Sequence, residues 1–337
     1  MKTNFWTGYF KLGYQVIPRF LSAPMDGITD SPFRQMIRTY SSNNLLFTQM
    51  QHIFAILNGK PTQNDLAFQK IEQPLAFQIF ANSTEKLDLA VAKILNKGIK
   101  HINLNAGCPS RKIVGSGCGS ALMSTPTALE KILRSLYSLT KNKNITLTLK
   151  QRAGFKTVNG LEIAKIAENC GVDGIIIHPR LQTGKFSDPL NLKLVKKIKE
   201  KIKIPVIFSG NITNFQEALE VYKQTNVDGF MIGRALWGAP WKLKEIEEAS
   251  QGNIFQITPK EKIKAALKHL NLSINYYGEE TGLILFKKHL AKYLKQLPHA
   301  TDYREKLLTE KNLNDMKEKL ESLIQTLTNN QCPPLKK

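Results

Sequence analysis

The sequence has 337 residues, with 48 Lys and Arg against 27 Asp and Glu, and a formal net charge of +21 at pH 7. This length buries a substantial core, excludes a peptide-like binding module, and suits one large domain with a smaller accessory module. The four cysteines, at positions 108, 118, 170 and 332, have neither the density of a disulfide scaffold nor the paired spacing of a zinc site.

The charge excess favours a polyanionic partner such as nucleic acid or an anionic membrane surface. A simple enrichment in Lys throughout the chain is the alternative explanation. No run approaches the roughly 18 apolar residues of a membrane span, and the N-terminus lacks the apolar segment of a signal peptide. We therefore expect a cytoplasmic protein without a membrane or a metal ion as partner.

Eight short apolar runs, rich in β-branched residues, alternate with longer amphipathic stretches. The predicted strands are Phe20–Ala23, Leu45–Met50, Leu75–Phe80, His101–Leu104, Ile145–Lys150, Gly174–Ile177, Val206–Ser209 and Gly229–Ile232. Eight βα units predict an α/β fold of the (β/α)8 TIM-barrel type, whose typical length is about 250 residues. A doubly wound sheet is the alternative, but it favours a Gly-x-Gly-x-x-Gly turn after the first strand, and none follows here.

Beyond residue 251 the strand signals stop and apolar residues recur at helical spacing. They are Ile263, Leu267, Leu270, Ile274, Leu283, Phe286, Leu290 and Leu294. The sequence therefore predicts a catalytic barrel over residues 1–250 and a small all-helical C-terminal domain over residues 251–337, ending in a flexible tail.

The first predicted strand leads into Pro24, Met25 and Asp26. Farther along, Asp30 precedes Ser31 and Pro32, a pattern that caps a helix and needs no ligand.

The fourth predicted strand leads into Asn105-Ala106-Gly107-Cys108-Pro109. A proline restricts its own backbone and that of the residue before it, while Gly107 permits close backbone approach. The Cys108 thiol is therefore expected to lie in a defined direction at the carboxyl end of a strand, where barrel enzymes place their chemistry.

Three polar side chains lie within or directly after apolar strands: Gln78, Lys150 and His178. Such groups are costly in a core unless they are paired or face a cavity. Each also has a structural explanation, as a satisfied core amide, an exposed strand end and a structural histidine respectively.

Glycine-containing turns follow the seventh and eighth strands at Ser209-Gly210-Asn211 and Gly233-Arg234. Barrels bind phosphate at these two places through backbone N–H groups and a helix N-terminus. Plain turns would have the same composition.

Taken in order, these motifs resemble those of the tRNA dihydrouridine synthases. The similarity includes Ala-Pro-Met after the first strand, Asn-x-Gly-Cys-Pro with its following glycines, Lys-x-Arg, His-Pro-Arg and the final Gly-Arg with Pro240-Trp241. It implies an FMN-binding barrel. The implied FMN contacts are Pro24, Met25, Asp26, Gln78, Lys150, His178, Ser209, Gly210, Asn211, Gly233 and Arg234.

The resemblance also implies the reaction. NADPH, or NADH, reduces FMN, a uridine of tRNA receives hydride, and Cys108 supplies the proton. A cysteine with an ordinary pKa near 8.5 is mostly protonated at neutral pH, which suits a general acid. A nucleophilic cysteine is the alternative and needs a nearby histidine base.

Four further residues are expected to meet the substrate. Asn105 would contact the pyrimidine edge and Arg152 the uracil or the RNA, while Lys287 and Lys288 of the helical module would contact tRNA. The protein is expected to be monomeric. Two other functions stay open, namely an FMN barrel of the dihydroorotate dehydrogenase type acting on a small molecule, and a non-catalytic RNA-binding protein.

Overall fold

The computed structural model describes residues 5–59, 66–185, 187–295, 297 and 300–329. The predicted tail beyond residue 329, including Cys332, lies outside this range.

The described chain begins with a two-stranded hairpin and continues into eight strands. The hairpin consists of β1 (Tyr9–Leu12) and β2 (Gln15–Pro18). The eight strands are β3 (Phe20–Ser22), β4 (Leu46–His52), β5 (Leu75–Phe80), β6 (His101–Ala106), β7 (Thr146–Gly154), β8 (Gly174–Leu181), β9 (Val206–Ser209) and β10 (Gly229–Ile232).

These eight strands pair in parallel in the order β3-β10-β9-β8-β7-β6-β5-β4. The ring closes between β3 and β4, where the Ser22 N–H donates to the Leu45 carbonyl at 3.1 Å and the Phe47 N–H donates to Ser22 Oγ at 3.1 Å. The TIM barrel predicted from the sequence is therefore confirmed.

Nine α-helices accompany the barrel in the described residues, and four more follow it. The first nine are α1 (Ser31–Tyr40), α2 (Ile53–Asn58), α3 (Leu87–Leu95), α4 (Arg111–Gly115), α5 (Pro126–Thr140), α6 (Gly160–Asn169), α7 (Leu192–Lys201), α8 (Phe215–Thr225) and α9 (Lys242–Ser250). The last four are α10 (Pro259–Tyr277), α11 (Glu279–Tyr293), α12 (Ala300–Leu308) and α13 (Leu313–Asn329). Within the described chain, no helix is both long and apolar enough to span a membrane.

The N-terminal hairpin closes the amino-terminal end of the barrel, and the sequence patterns did not predict it. Leu12 and Ile17 are buried in one apolar cluster with inward-facing strand residues such as Leu21 and Ile176. The fit is close, because a Cβ on Gly174 would clash with Leu12 Cδ1. The hairpin thereby fills the amino-terminal end of the barrel, so a ligand has room only at the opposite, carboxyl end of the strands.

The C-terminal helices have an apolar core of their own, which also takes in parts of the barrel. Leu270, Phe286 and Tyr293 are buried in this cluster together with Met36 of α1 and Trp241 before α9. The helical module therefore packs directly on the first barrel helix. The predicted division between residues 250 and 251 stays a prediction.

Candidate active site

A cavity of about 780 Å³ opens at the carboxyl ends of the barrel strands. Its walls include every residue that the sequence suggested for cofactor binding, together with three more of the predicted site residues. Those three are Asn105, Cys108 and Arg152. The cavity therefore gathers residues that lie more than 200 positions apart in the chain.

The side chain of Asn105 fixes the backbone at Cys108. The Asn105 Oδ1 accepts hydrogen bonds from the Gly107 N–H at 3.0 Å and the Cys108 N–H at 2.9 Å. The glycine-rich segment holds it from the other side, because Ser120 donates to the Cys108 carbonyl from both its N–H and its Oγ. Gly119 allows this contact, since a Cβ there would lie 3.1 Å from Cys108 Cβ.

A chain of buried polar side chains supports Asn105 from within the barrel. Asn105 Nδ2 donates to Gln78 Oε1 at 2.9 Å, and Gln78 Nε2 donates to Asn103 Oδ1 at 2.7 Å. Asn103 Nδ2 in turn donates to Thr148 Oγ1 at 2.8 Å, which also lies 2.7 Å from His101 Nε2. Fully paired networks of this kind fix side-chain positions in a core. Sequence reasoning missed Asn103, Thr148 and His101, although Asn103 and Asn105 alternate on β6 as residues facing one side of a strand do.

These bonds give Asn105 a structural role in addition to its predicted one. Its oxygen accepts two N–H groups, and its nitrogen donates to Gln78 and contacts Met50 Sδ at 3.5 Å. An amide offers two lone pairs and two N–H groups, so these bonds hold the Asn105 side chain firmly at the cavity wall, and its predicted contact with the pyrimidine stays a prediction. Gln78 keeps one amide N–H and lines the cavity.

Arg152 is likewise bound to the protein rather than extended toward solvent. Its Nε donates to the Gly107 carbonyl and its Nη1 to the Leu181 carbonyl, both at 2.8 Å. It lies inside β7, which pairs with β8 as far as Gly154, beyond the strand ends predicted at Lys150 and Ile177. The strands continue there because their charged residues face the cavity instead of the core.

The thiol of Cys108 is partly buried, and this burial raises its pKa above the ordinary value. A hydrogen bond from the Ser110 backbone and the charges of Arg152 and Lys150 oppose that effect but are smaller causes. The cysteine is therefore a protonated thiol at neutral pH, the form that can give up a proton.

The other side of the cavity is strongly cationic. Burial lowers the pKa of Lys150 to about 8, and the neighbouring Arg152 adds to this shift. Among the described residues the Lys150 ammonium has no ion-pair partner. Burial and the charges of four cationic side chains lower the pKa of His178 to about 2, so its imidazole is neutral. The four are Lys150, Arg152, Arg180 and Arg234.

Arg180, the last residue of the His-Pro-Arg motif, also belongs to this cationic group, although the motif predicted no role for it. It is 3% exposed, and its buried Nη2 lacks a hydrogen-bond partner in the described part of the chain. Its Nη1 lies 3.4 Å from His178 Nε2. Its position two residues after His178 on the same strand was the available signal, because both side chains then point to one face.

The turns after β9 and β10 lie next to these cations. A Cβ on Gly210 would approach Leu190 Cδ2 to 3.1 Å and His178 Cδ2 to 3.5 Å, so a larger residue would crowd this part of the cavity. Asn211 has a left-handed backbone, with φ of +48°, and its Oδ1 accepts a hydrogen bond from Arg234 Nη2 at 2.7 Å. Open backbone next to clustered cations fits an anionic group such as a phosphate.

A second cavity of about 740 Å³ lies between the barrel mouth and the helical module. It shares Asp26 and Met50 with the first cavity. Its walls also carry aromatic and basic side chains, namely His52, Phe80, Lys112, Tyr276, Tyr277 and Lys288. Lys287, in contrast, lines neither of the two cavities.

Comparison with known proteins places this geometry in a family. The family model "Dihydrouridine synthase (Dus)" matches residues 21–331. A probable tRNA-dihydrouridine synthase of Rickettsia conorii is 31% identical over 288 residues, which cover 84% of this chain and 86% of that protein. tRNA-dihydrouridine synthase B of Pseudomonas aeruginosa is 29% identical over 299 residues, which cover 87% of this chain and 89% of that protein.

Solved structures share the fold at lower sequence identity. Histamine dehydrogenase from Rhizobium sp. 4-9 aligns with a TM-score of 0.57 at 12% identity, covering 97% of this chain and 65% of that one. An old yellow enzyme homologue from Zymomonas mobilis aligns with a TM-score of 0.51 at 10% identity, covering 76% and 96%. Together with the family match over nearly the whole length, the barrel and its helical module show that this chain belongs to the dihydrouridine synthase family of oxidoreductases.

Proposed function

We propose that this protein is a monomeric cytoplasmic enzyme that binds FMN and uses NADPH to reduce the uracil double bond of uridines in tRNA to 5,6-dihydrouridine. The observation that carries the proposal is the shared cavity of Cys108 and the cationic group around Lys150. One side offers a protonated thiol, while the other offers positive charge to an anionic cofactor. Family membership favours this function over a small-molecule reductase or a non-catalytic RNA-binding protein.

The described residues fit the phosphate and the ring of FMN. The turns at Gly210 and Gly233 offer backbone N–H groups for the phosphate, with Arg234 beside them. Gln78 and Lys150 would contact the ring, because the remaining amide N–H can donate and the ammonium favours negative charge. Pro24, Met25 and Asp26 would border the ring, and His178 would contact the phosphate region. When bound, FMN supplies the hydride.

Cys108 completes the reduction in this proposal. Hydride addition to one carbon of the uracil double bond leaves the neighbouring carbon to receive a proton, which the thiol gives up to become a thiolate. The thiolate then regains a proton from solvent. Asn105 and Arg152 act as positioning residues, since both bind the backbone of the segment that carries Cys108.

The second cavity is the proposed entry for the nucleotide. It joins the first at Asp26 and Met50, so a uridine turned out of the tRNA stack could pass from one to the other. Rings of His52 and Tyr276 line it as surfaces on which bases can stack, and Lys288 offers charge to the RNA backbone.

The purified protein tests this function directly. We expect a yellow protein with a flavin spectrum that bleaches with NADPH under anaerobic conditions and recovers when unmodified tRNA is added, and mass spectrometry should then detect dihydrouridine in that tRNA. A colourless protein with no affinity for added FMN would contradict the proposal. So would a flavin spectrum that recovers when orotate is added but not when tRNA is added.

A further inference from the structure

A cluster of three potential metal ligands lies away from the active-site cysteine, at the contact between the barrel and the helical module. It consists of Asp30, at the start of α1, His269 on α10 and His289 on α11. One ligand atom from each residue lies within 4.8 Å of the other two. All three residues are buried, with His269 0% and His289 1% exposed.

The two histidines leave most of their ring nitrogens without a hydrogen bond. His269 Nε2 and both nitrogens of His289 are buried and have no partner in the described part of the chain, whereas His269 Nδ1 lies 3.3 Å from Tyr293 Oη. Buried polar atoms normally have a partner, and each exception needs a physical reason. A third buried histidine makes the contrast clear, because His101 has partners at both nitrogens, Gln15 and Thr148.

The imidazoles are in the form that binds metal ions. The two rings lie 4.5 Å apart between centroids, and burial lowers the pKa of both residues below the ordinary value. A neutral imidazole presents a lone pair, which a cation can accept and a protonated ring cannot.

Asp30 keeps room for a further interaction. Its Oδ1 accepts the Phe33 N–H at 3.0 Å and its Oδ2 accepts the Tyr277 hydroxyl at 3.1 Å. A carboxylate has about four lone-pair positions, so a metal ion could bind without breaking either bond. Arg34 and Lys288 are neighbouring cations that already act on this carboxylate, and a metal ion would compete with them.

We propose that Asp30, His269 and His289 form a binding site for one divalent transition-metal ion, with Zn²⁺ as the best match, that ties the helical module to the barrel. Two imidazoles and one carboxylate are a ligand set that zinc accepts, with water in the fourth position. Zinc–ligand bonds of about 2.0–2.1 Å put tetrahedral ligands roughly 3.3 Å apart, whereas the ligand atoms here lie up to 4.8 Å apart, so the side chains must draw together by up to about 1.5 Å.

The proposal is independent of flavin chemistry, because its test measures metal content. The full-length protein is stripped with a chelator, dialysed, titrated calorimetrically with Zn²⁺ and analysed for metal after desalting. We expect one equivalent of Zn²⁺ per chain and a higher melting temperature with zinc than without it. His269→Gln and His289→Gln should each weaken zinc binding by at least about 100-fold and lose the zinc-dependent shift.

Two variants serve as controls for other zinc ligands in the chain. Cys108→Ser removes the active-site thiol and His52→Gln removes a histidine outside the cluster, and both should keep the full equivalent. A wild-type protein that binds no zinc, or histidine variants that still hold one equivalent, would overturn the proposal.

A measurement on the wild-type protein alone covers the case in which the histidine variants fail to fold. Co²⁺ in the stripped protein should give the visible absorption of a four- or five-coordinate site without a thiolate charge-transfer band. Absence of that absorption, or a strong thiolate band, would show that this cluster is not the site.

Discussion

The two sides of the active-site cavity differ in how far their polar groups are satisfied. Around Cys108, the side chains of Asn105 and Gln78 are bound within a continuous network. Around Lys150 and Arg180, the Lys150 ammonium has no ion-pair partner in the described chain and one buried guanidinium nitrogen has no hydrogen bond.

This difference matches two tasks that the cavity has in the proposed reaction, proton donation on one side and cofactor binding on the other. A proton donor must be in place before its substrate arrives, and a satisfied network supplies that rigidity. A binding site for an anionic cofactor instead needs cations whose own partner is the ligand, at some cost to the stability of the empty protein. Substitutions on the two sides should therefore have separable effects, which the following predictions test.

The largest effect is expected from Cys108→Ala. Loss of a general acid slows catalysis by about 10²- to 10⁴-fold, so dihydrouridine formation in tRNA, followed by mass spectrometry, should fall by that factor. Cys118→Ala is the matched control, because Cys118 is buried and lines neither cavity. Similar losses of activity in both variants would argue against a special role for Cys108.

Lys150→Met should act on the cationic side. We expect FMN affinity to fall about 10- to 100-fold, which corresponds to one hydrogen bond to a charged group. The flavin-free variant should gain about 1 kcal/mol in the free energy of unfolding, because an unpaired charge leaves a partly buried position. Fluorescence titration and urea denaturation measure the two quantities, and Lys165→Met on the exposed face of α6 is the control. A variant that loses stability and keeps FMN affinity would contradict this interpretation.

The low pKa of Lys150 also predicts a pH dependence. Its pKa is about 8 in the folded protein and 10.5 in the unfolded chain, so between these values the unfolded chain binds more protons. The free energy of unfolding of the flavin-free protein should therefore gain a contribution as pH rises from 8 to 10.5, and Lys150→Met should lack it. Denaturation curves measured across this pH range test the prediction. If the free energy of unfolding changes with pH by the same amount in both proteins, Lys150 makes no such contribution.

Asn105→Ala should have a smaller effect, on the Cys108 side alone. It removes the acceptor of two backbone N–H groups, which costs about 1–3 kcal/mol, and kcat on tRNA should fall by about 10-fold. FMN affinity should stay within about 2-fold of the wild type. Asn105→Asp keeps the acceptor oxygen and should recover part of kcat. If FMN affinity falls as much as kcat in Asn105→Ala, the two sides are not separable.

Lys288→Ala should show the smallest of the four mutational effects. Loss of one phosphate contact weakens tRNA binding a few-fold. It also reduces the steepness with which the logarithm of the binding constant falls against the logarithm of the salt concentration, by about 1. Lys287→Ala should change tRNA binding less, because Lys287 lines neither cavity. Filter-binding titrations at several salt concentrations distinguish the two, and a larger effect of Lys287→Ala would place the RNA elsewhere on the module.

The barrel could be read from the sequence because its strands are short apolar runs at regular intervals. The N-terminal hairpin could not, since β1 and β2 mix exposed and buried residues, such as Val16 at 68% exposure beside the buried Ile17, and have no apolar run. The extensions of β7 and β8 were missed for a related reason. Charged residues such as Arg152 interrupt the apolar pattern of β7. The backbone pairing of β7 with β8 nevertheless continues through them, because their side chains face a cavity.

Sequence motifs identified the residues around the cavity but not what their side chains bind. Asn105 was expected at the pyrimidine, which stays a prediction, but its bonds to the Cys108 segment and to Gln78 were not predicted. The cluster of Asp30, His269 and His289 has no short spacing that a metal motif would show, because its ligands come from three helices. Local sequence patterns therefore did not predict interactions between residues that lie far apart in the chain.

The most direct test follows the two halves of the reaction separately in Cys108→Ala. Stopped-flow spectroscopy would record bleaching of the bound flavin by NADPH and then recovery of its colour on mixing with unmodified tRNA. The account predicts a bleaching rate within about 2-fold of the wild type and recovery with tRNA slowed by at least about 100-fold. Recovery at the wild-type rate, or equal slowing of both steps, would contradict the assignment of Cys108 as the proton donor.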